Sequence, residues 1–298
     1  MKNIFTLIAA MILTMGIAHA QNSVENIQNG NQNDVIINQI GNNDAFIWQG
    51  DGFTFYPAAD EEGTATNNSV IIDQTGSSLL YVGQGINEGA SVNSEIIVSQ
   101  NGNSYADIFQ GVLRDAENAY ANVSQDGSNN TASVRQAQAG FVYDVDAAIS
   151  QNGSGNYVSI LQGFGGNSTS EDNSASVTQE GNNNASTTIL QGSNVAAAGP
   201  GSGAGTAEGN TSNILIIGNS NGTNGGVRIN QGINGGTALN NIGYILQEGN
   251  FNNSIINQGV GNGMQSIGSE ANTFQYSNNN MSTVNQNGEN NLANVTQD

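Results

Sequence analysis

Residues Ala147–Gln162 read AAISQNGSGNYVSILQ, and they state one rule twice. A small or apolar residue is followed two places on by Val or Ile, and two places on again by Gln. The first copy is Ala147, Ile149, Gln151, and the second is Val158, Ile160, Gln162. A spacing of two places side chains on one face of a β-strand. Between the copies lies Gly153-Ser154-Gly155-Asn156, a composition suited to a tight bend. The stretch therefore predicts strand, arc, strand, with both strands turning an apolar pair and a terminal glutamine the same way.

The rule recurs along the chain. Val35, Ile37, Gln39 and Ala45, Ile47, Gln49 obey it, as do Val70, Ile72, Gln74 and Leu80, Val82, Gln84. Near the other end Ser282, Val284, Gln286 and Ala293, Val295, Gln297 repeat it. Paired glutamines are separated by a nearly constant step. Gln28 to Gln39, Gln125 to Gln136, Gln151 to Gln162, Gln247 to Gln258 and Gln286 to Gln297 are each eleven residues, and Gln179 to Gln191 is twelve. Successive first glutamines Gln74, Gln100, Gln125, Gln151 and Gln179 fall 26, 25, 26 and 28 residues apart. One repeat of that length is one turn of a solenoid, with a tight arc inside the unit and a longer return between units. The expected fold is all-β: a β-solenoid of stacked strand–arc–strand repeats, cross-β and amyloid-like, of about nine turns and on the order of 40 Å long. Ile214–Gly218 reads as a degenerate strand in which glutamine is replaced, and Gln265–Glu270 is weaker still.

Stacking gives the polar residues their purpose. Equivalent side chains of neighbouring turns lie about 4.8 Å apart, so glutamines and asparagines can form amide ladders while Val and Ile form a dry seam. An inward carboxamide without such a ladder would cost about 1–3 kcal/mol. The expected ladder residues, which are also the expected self-assembly residues, are Gln28, Gln39, Gln74, Gln100, Gln125, Asn130, Gln136, Gln151, Asn156, Gln162, Gln179, Gln191, Gln247, Asn252, Gln258, Gln286, Asn291 and Gln297.

Residues 1–20, MKNIFTLIAAMILTMGIAHA, have one Lys, an apolar run and an Ala-His-Ala end, the pattern of a cleaved secretory signal. Residues 21–298 are then expected to form one repeat domain with variable loops. Without the leader there is no Lys, His or Cys, and three arginines against 24 acids leave a formal charge of −21. That balance excludes a phosphate-reading nucleic-acid binder, and nothing after the leader is apolar enough to span a membrane. The irregular returns 51–67, 111–118, 163–172 and 192–210 hold both prolines, Pro57 and Pro200, and many of the acids. Those acids lack calcium-loop spacing, and no catalytic constellation, metal site or cofactor motif is expected. Trp48 and Tyr157 fall at outward strand positions and read as isolated exposed aromatics, the alternatives being sugar binding or fibre-on-fibre packing.

The repeat Gln-x-Gly-x-x-Asn-x-small-x-x-x-Gln resembles the curlin repeat of bacterial curli amyloid subunits. Gln125, Gly127, Asn130, Ala132, Gln136 carry it, as do Gln286, Gly288, Asn291, Ala293, Gln297. Gln151, Gly153, Gly155, Asn156, Gln162 carry it with Val158 at the small position. The resemblance implies a secreted, non-enzymatic subunit that self-assembles into extracellular amyloid fibres of a biofilm matrix and supports adhesion and aggregation. It further implies a secretion pore, a chaperone and a nucleator as partners. This chain is about twice as long as a typical curlin and carries insertions in its returns. The competing expectation is a monomeric secreted β-solenoid acting as an adhesin or an ice- or surface-binding protein. Its mixed outward positions, such as Asp107, Ser133, Ser159 and Asn257, count against an ice face.

Overall fold

The computed structural model describes residues 21–50, 63–166, 168–193, 204–223 and 225–298. The expected leader, both prolines and the acids Asp60, Glu61 and Glu62 lie outside the described residues.

The strands wind as a solenoid whose cross-section has three sides. The first ladder contains Asp34–Gly41, Ser69–Gly76, Asp146–Ser154, Ser174–Glu180 and their equivalents up to Leu292–Gln297. The second runs from Ser23–Gln28 and Asp44–Gln49 through Tyr157–Gln162 to Met281–Gln286. Glu95–Val112 and Tyr120–Gln138 pass through both without a break, so these two ladders form one 18-stranded sheet of ten rungs per side. The third ladder is a 10-stranded sheet of two- or three-residue strands such as Ala90–Val92, Phe141–Tyr143 and Thr169–Glu171.

Every paired strand in the ladders is parallel, and like residues meet: Val123 on Ile149 on Val177, and Gln125 on Gln151 on Gln179. The Val and Ile of the first two ladders close on one continuous seam, where Ile47, Val82, Val134, Ile160 and Ile229 have no exposed surface. Each such side chain contributes about 1.5–3 kcal/mol by leaving water. In-register stacking makes one seam from positions 22 to 40 residues apart in the chain.

The bends follow the same stacking. Gly102, Gly127, Gly153 and Gly181 lie above one another with φ of +119°, +112°, +123° and +125°. A Cβ on any of these four would overlap the carbonyl oxygen of the glycine on the next turn. At the corner between third and first ladders Asn67, Asn93, Asn118, Asp144 and Asp172 hold φ of 50° to 54°. Short polar side chains tolerate that left-handed conformation best after glycine.

Three expectations need correction. The returns are not merely loops, because each carries a strand of the third ladder. The rod has ten rungs on each main side rather than about nine turns. The eleven-residue step also has two meanings. Gln125 to Gln136 crosses the arc from first to second ladder, whereas Gln28 to Gln39 and Gln286 to Gln297 cross the return from second to first. At both ends of the rod the return is as short as the arc, so spacing alone does not tell them apart.

Candidate functional site

The glutamines form two columns. In the second ladder the column is unbroken: Gln28, Gln49, Gln84, Gln110, Gln136, Gln162, Gln191, Gln231, Gln258 and Gln286 are joined Nε2 to Oε1 at 2.7–3.0 Å. Each Nε2 donates toward the C-terminal end of the rod. The same nitrogens donate to backbone carbonyls of the first ladder, as Gln136 does to Tyr120 at 3.0 Å and Gln162 to Asp146 at 3.1 Å. One carboxamide thus ties successive turns and also ties the two arms. Gln49, Gln84, Gln110 and Gln162 have no exposed surface, which is tolerable only because both ends of the amide are satisfied.

The first-ladder column joins Gln39, Gln74, Gln100, Gln125, Gln151 and Gln179 at 2.7–3.0 Å. It stops at Ile216, which occupies the glutamine position between Gln179 and Gln247. Gln179 Nε2 turns instead to Thr187 Oγ1 at 2.7 Å, and Gln247 Oε1 is buried without a hydrogen-bond partner. The column resumes through Gln247, Gln275 and Gln297 at 2.8 Å.

Asparagines do a different job from glutamines. Asn130, Asn156 and Asn252 stand at the corner before the second ladder, in a column that also holds Asn22, Asn43, Asn184, Asn221 and Asn280, with Ser78 and Ser104 between Asn43 and Asn130. Asn130 Oδ1 accepts from the backbone N–H of Asn156, 3.1 Å away, and Asn130 Nδ2 donates to Gly153 O at 2.9 Å. Asn252 repeats this, accepting from Asn280 N at 2.9 Å and donating to Ser277 O at 2.7 Å. These side chains satisfy backbone groups at a bend that has no continuous ladder bonding. Asn291 belongs to the other corner, before the first ladder, below which stand Ser269, Asn241, Asn210 and Asn173. This second asparagine column lies outside the expected ladder except for Asn291. Its signal is Asn two residues before the small residue of a strand, as in Asn173-Ser174-Ala175 and Asn210-Thr211-Ser212.

The end rungs differ from the interior. All six residues of Ser23–Gln28 are exposed. Val35 and Ile37 at one end, and Ala293 and Val295 at the other, are only partly buried. The terminal donors fold back: Gln286 Nε2 donates to Glu270 O at 2.8 Å and Gln297 Nε2 to Met281 O at 3.1 Å. At the opposite end Gln28 and Gln39 use their Nε2 groups on the rung above.

Trp48 corrects an expectation. It is 7% exposed and lies parallel to the Phe46 and Tyr81 rings, at centroid distances of 6.0 and 6.1 Å. Ile86 and Val112, which pair at the C-terminal ends of their second-ladder strands, pack beside it. Tyr157 is 43% exposed, as expected. Beside this aromatic cluster Arg135 pairs with Asp107 at 2.7 Å and lies over Phe109. Burial, reinforced by the Asp107 carboxylate, pushes the Tyr105 phenol up to about 12. Among the described residues no cluster of three or more His, Cys, Asp or Glu converges as a metal site would require.

The fold defines an all-β protein with a solenoid-like winding. No family model, curated protein or solved structure matches the chain.

Proposed function

We propose that this chain is an exported structural subunit that polymerises end to end into curli-like amyloid fibres of an extracellular matrix, where it supports adhesion and aggregation. The observation that carries the reading is the match between the two end rungs. The first described strand, Ser23–Gln28, belongs to the second ladder, and the last, Leu292–Gln297, belongs to the first. A following copy therefore continues the winding in phase. Its Ser23–Gln28 lies on Met281–Gln286, and its Asp34–Gly41 lies on Leu292–Gln297.

Chemistry agrees with phase. Gln286 and Gln297 supply Nε2 donors at one end, and Gln28 and Gln39 supply Oε1 acceptors at the other. Val35 and Ile37 then cover Ala293 and Val295, removing partly exposed apolar surface from water. A sheet edge of this kind is a template for adding strands. The leader-like residues 1–20 support export, and the curlin resemblance supports a secretion pore, chaperone and nucleator as partners.

The test is incubation of purified residues 21–298 at micromolar concentration. Seeded growth of dye-binding fibres, with a meridional reflection near 4.8 Å, is expected. A folded monomer that stays monodisperse would refute the proposal and favour a monomeric surface-binding solenoid.

A further inference from the structure

The apolar column of the second ladder has one exception. From Ile47 through Val82, Val134 and Ile229 to Val284, the inward position two before each glutamine is Val or Ile, and these side chains belong to the dry seam. On the first rung, Ser23–Gln28, that position is Asn26. The register is fixed on both counts: Asn26 pairs with Ile47, and Gln28, two places on, donates its Nε2 to Gln49 Oε1 at 2.7 Å. Asn26 therefore stands where the other nine rungs carry a branched apolar side chain. The corners beside it keep the common pattern. Asn22 Oδ1 accepts from Asn43 N at 3.0 Å, and Asn33 Oδ1 accepts from Asn68 N at 3.2 Å, as the corner asparagines do on later turns.

On the free subunit Asn26 meets no conflict, because every residue of its strand is exposed. In the end-to-end stack it is enclosed. Val284 of the preceding copy then lies about 4.8 Å to one side and Ile47 of its own copy about 4.8 Å to the other. Neither side chain has a polar atom. Inward carboxamides elsewhere in this fold are tolerable because they stand in an amide column or at a corner, where backbone groups are free to bond them. Asn26 has neither, since it lies in mid-strand, where the backbone is committed to the ladder. Enclosing a carboxamide without a partner is unfavourable, and the rung also forgoes the apolar contact that Val or Ile makes on later turns. In this column the joint between copies is weaker than the contact between rungs inside one copy.

We propose that Asn26 sets the strength of the joint between two copies of this chain: a polar side chain in the dry seam of the first rung, harmless on the free subunit and costly only when a second copy covers it. This rests on the polymer reading above. The other columns across the joint favour union, with Gln28 on Gln286, Gln39 on Gln297 and Ile37 on Val295. Asn26 subtracts from that sum at one place. Polar or charged inward side chains on an edge strand are a general device against unwanted strand addition. Here the device is mild, because an uncharged side chain raises the concentration at which copies join without forbidding the joint. It keeps the chain soluble when dilute and lets it polymerise where it accumulates.

The test compares variants of residues 21–298 at one salt concentration, reading the soluble protein left at the plateau of seeded growth. Asn26→Val should lower that concentration about tenfold or more, equivalent to about 1.4 kcal/mol per joint. Asn26→Asp puts a charge at the same point and should raise it. Asn38→Val is the control. Asn38 is exposed at the same end of the rod but on the outward side of the first ladder, stacked on Asp73. The same substitution there should move the plateau by less than about twofold. Urea unfolding at high dilution should separate Asn26→Val from the native chain by far less than the joint does, because Asn26 is exposed on the single subunit. An unchanged or higher plateau for Asn26→Val, or an equal fall for Asn38→Val, would overturn the role of Asn26 while leaving the polymer reading standing. Absence of fibres from the native chain and from Asn26→Val alike would overturn both.

Discussion

Replacing Ile216 by glutamine repairs the one gap in the first-ladder amide column and measures what a rung of that column contributes. Ile216 has no exposed surface and lies between Gln179 and Gln247, whose Oε1 is buried without a partner. A glutamine there accepts from Gln179 and donates to Gln247. Satisfying the orphan acceptor recovers about 1–3 kcal/mol, and the second bond adds about 0.5–1.5 kcal/mol. Against this stand the lost burial of isoleucine, about 1.5–3 kcal/mol, and about 1 kcal/mol of extra side-chain ordering. The terms nearly cancel, so Ile216→Gln should lie within about 2 kcal/mol of the native chain. Ile214→Gln is the control. Ile214 is 2% exposed on the same strand and also inward, but it stacks between Val177 and Ile245. A carboxamide there loses the same apolar burial and finds no ladder, for a cost of about 4 kcal/mol or more. The assay is urea unfolding followed by circular dichroism, at low ionic strength and high dilution so that the protein stays monomeric. The expected result is a gap of about 3 kcal/mol between the two variants, with Ile216→Gln the more stable. Equal destabilisation would refute the claim that turn-to-turn amide bonding is what makes inward glutamine tolerable.

Other expectations follow from the bends, Asp146 and the net charge. Gly127→Ala forces a methyl group into the carbonyl oxygen of Gly153 at a φ of +112°. Neither neighbouring rung can yield, so a loss of more than about 3 kcal/mol is expected in the same urea assay, against about 0.5 kcal/mol or less for Ser128→Ala. Asp146 has its carboxyl raised above its ordinary value by burial among neighbouring strands. The folded state therefore binds a proton at higher pH than the unfolded chain, and stability rises as pH falls through the folded value, the gain being complete below the unfolded one. Asp146 remains in contact with water, so the increment is small. Asp146→Asn should be at least as stable as the native chain at pH 7 and should lack that increment in melts from pH 7 to 3. Finally, the formal charge of −21 on residues 21–298 opposes stacking over a range that shrinks to about 8 Å at physiological salt. Added salt, divalent cations or mild acid should shorten the lag of assembly followed by dye fluorescence, and a flat ionic-strength profile would count against charge as the brake.

Much of the architecture was legible because its rule is local. Ile149 two before Gln151, and Ile160 two before Gln162, state which side of each strand is inside, and stacking repeats that statement on every turn. Ile216 was visible as a missing glutamine. The third ladder leaves no signal in the sequence, because strands as short as Ala116–Glu117 carry no alternation to detect. Alternation places Trp48 on an outward side but does not say what covers that side. Here Phe46, Tyr81, Ile86 and Val112 cover it, brought from three turns.

The residues by themselves determined the period, the inward face and the chemistry of the rungs, since pleating and side-chain volume act within a few residues. Only the tertiary structure decided which eleven-residue step is an arc and which a return. It also decided that Asn130 and Asn291 serve different corners, and that the amides point one way along the rod. These depend on which backbone carbonyl or amide lies 4 to 5 Å away on the next turn, a partner set by the stacking of segments about 25 residues apart.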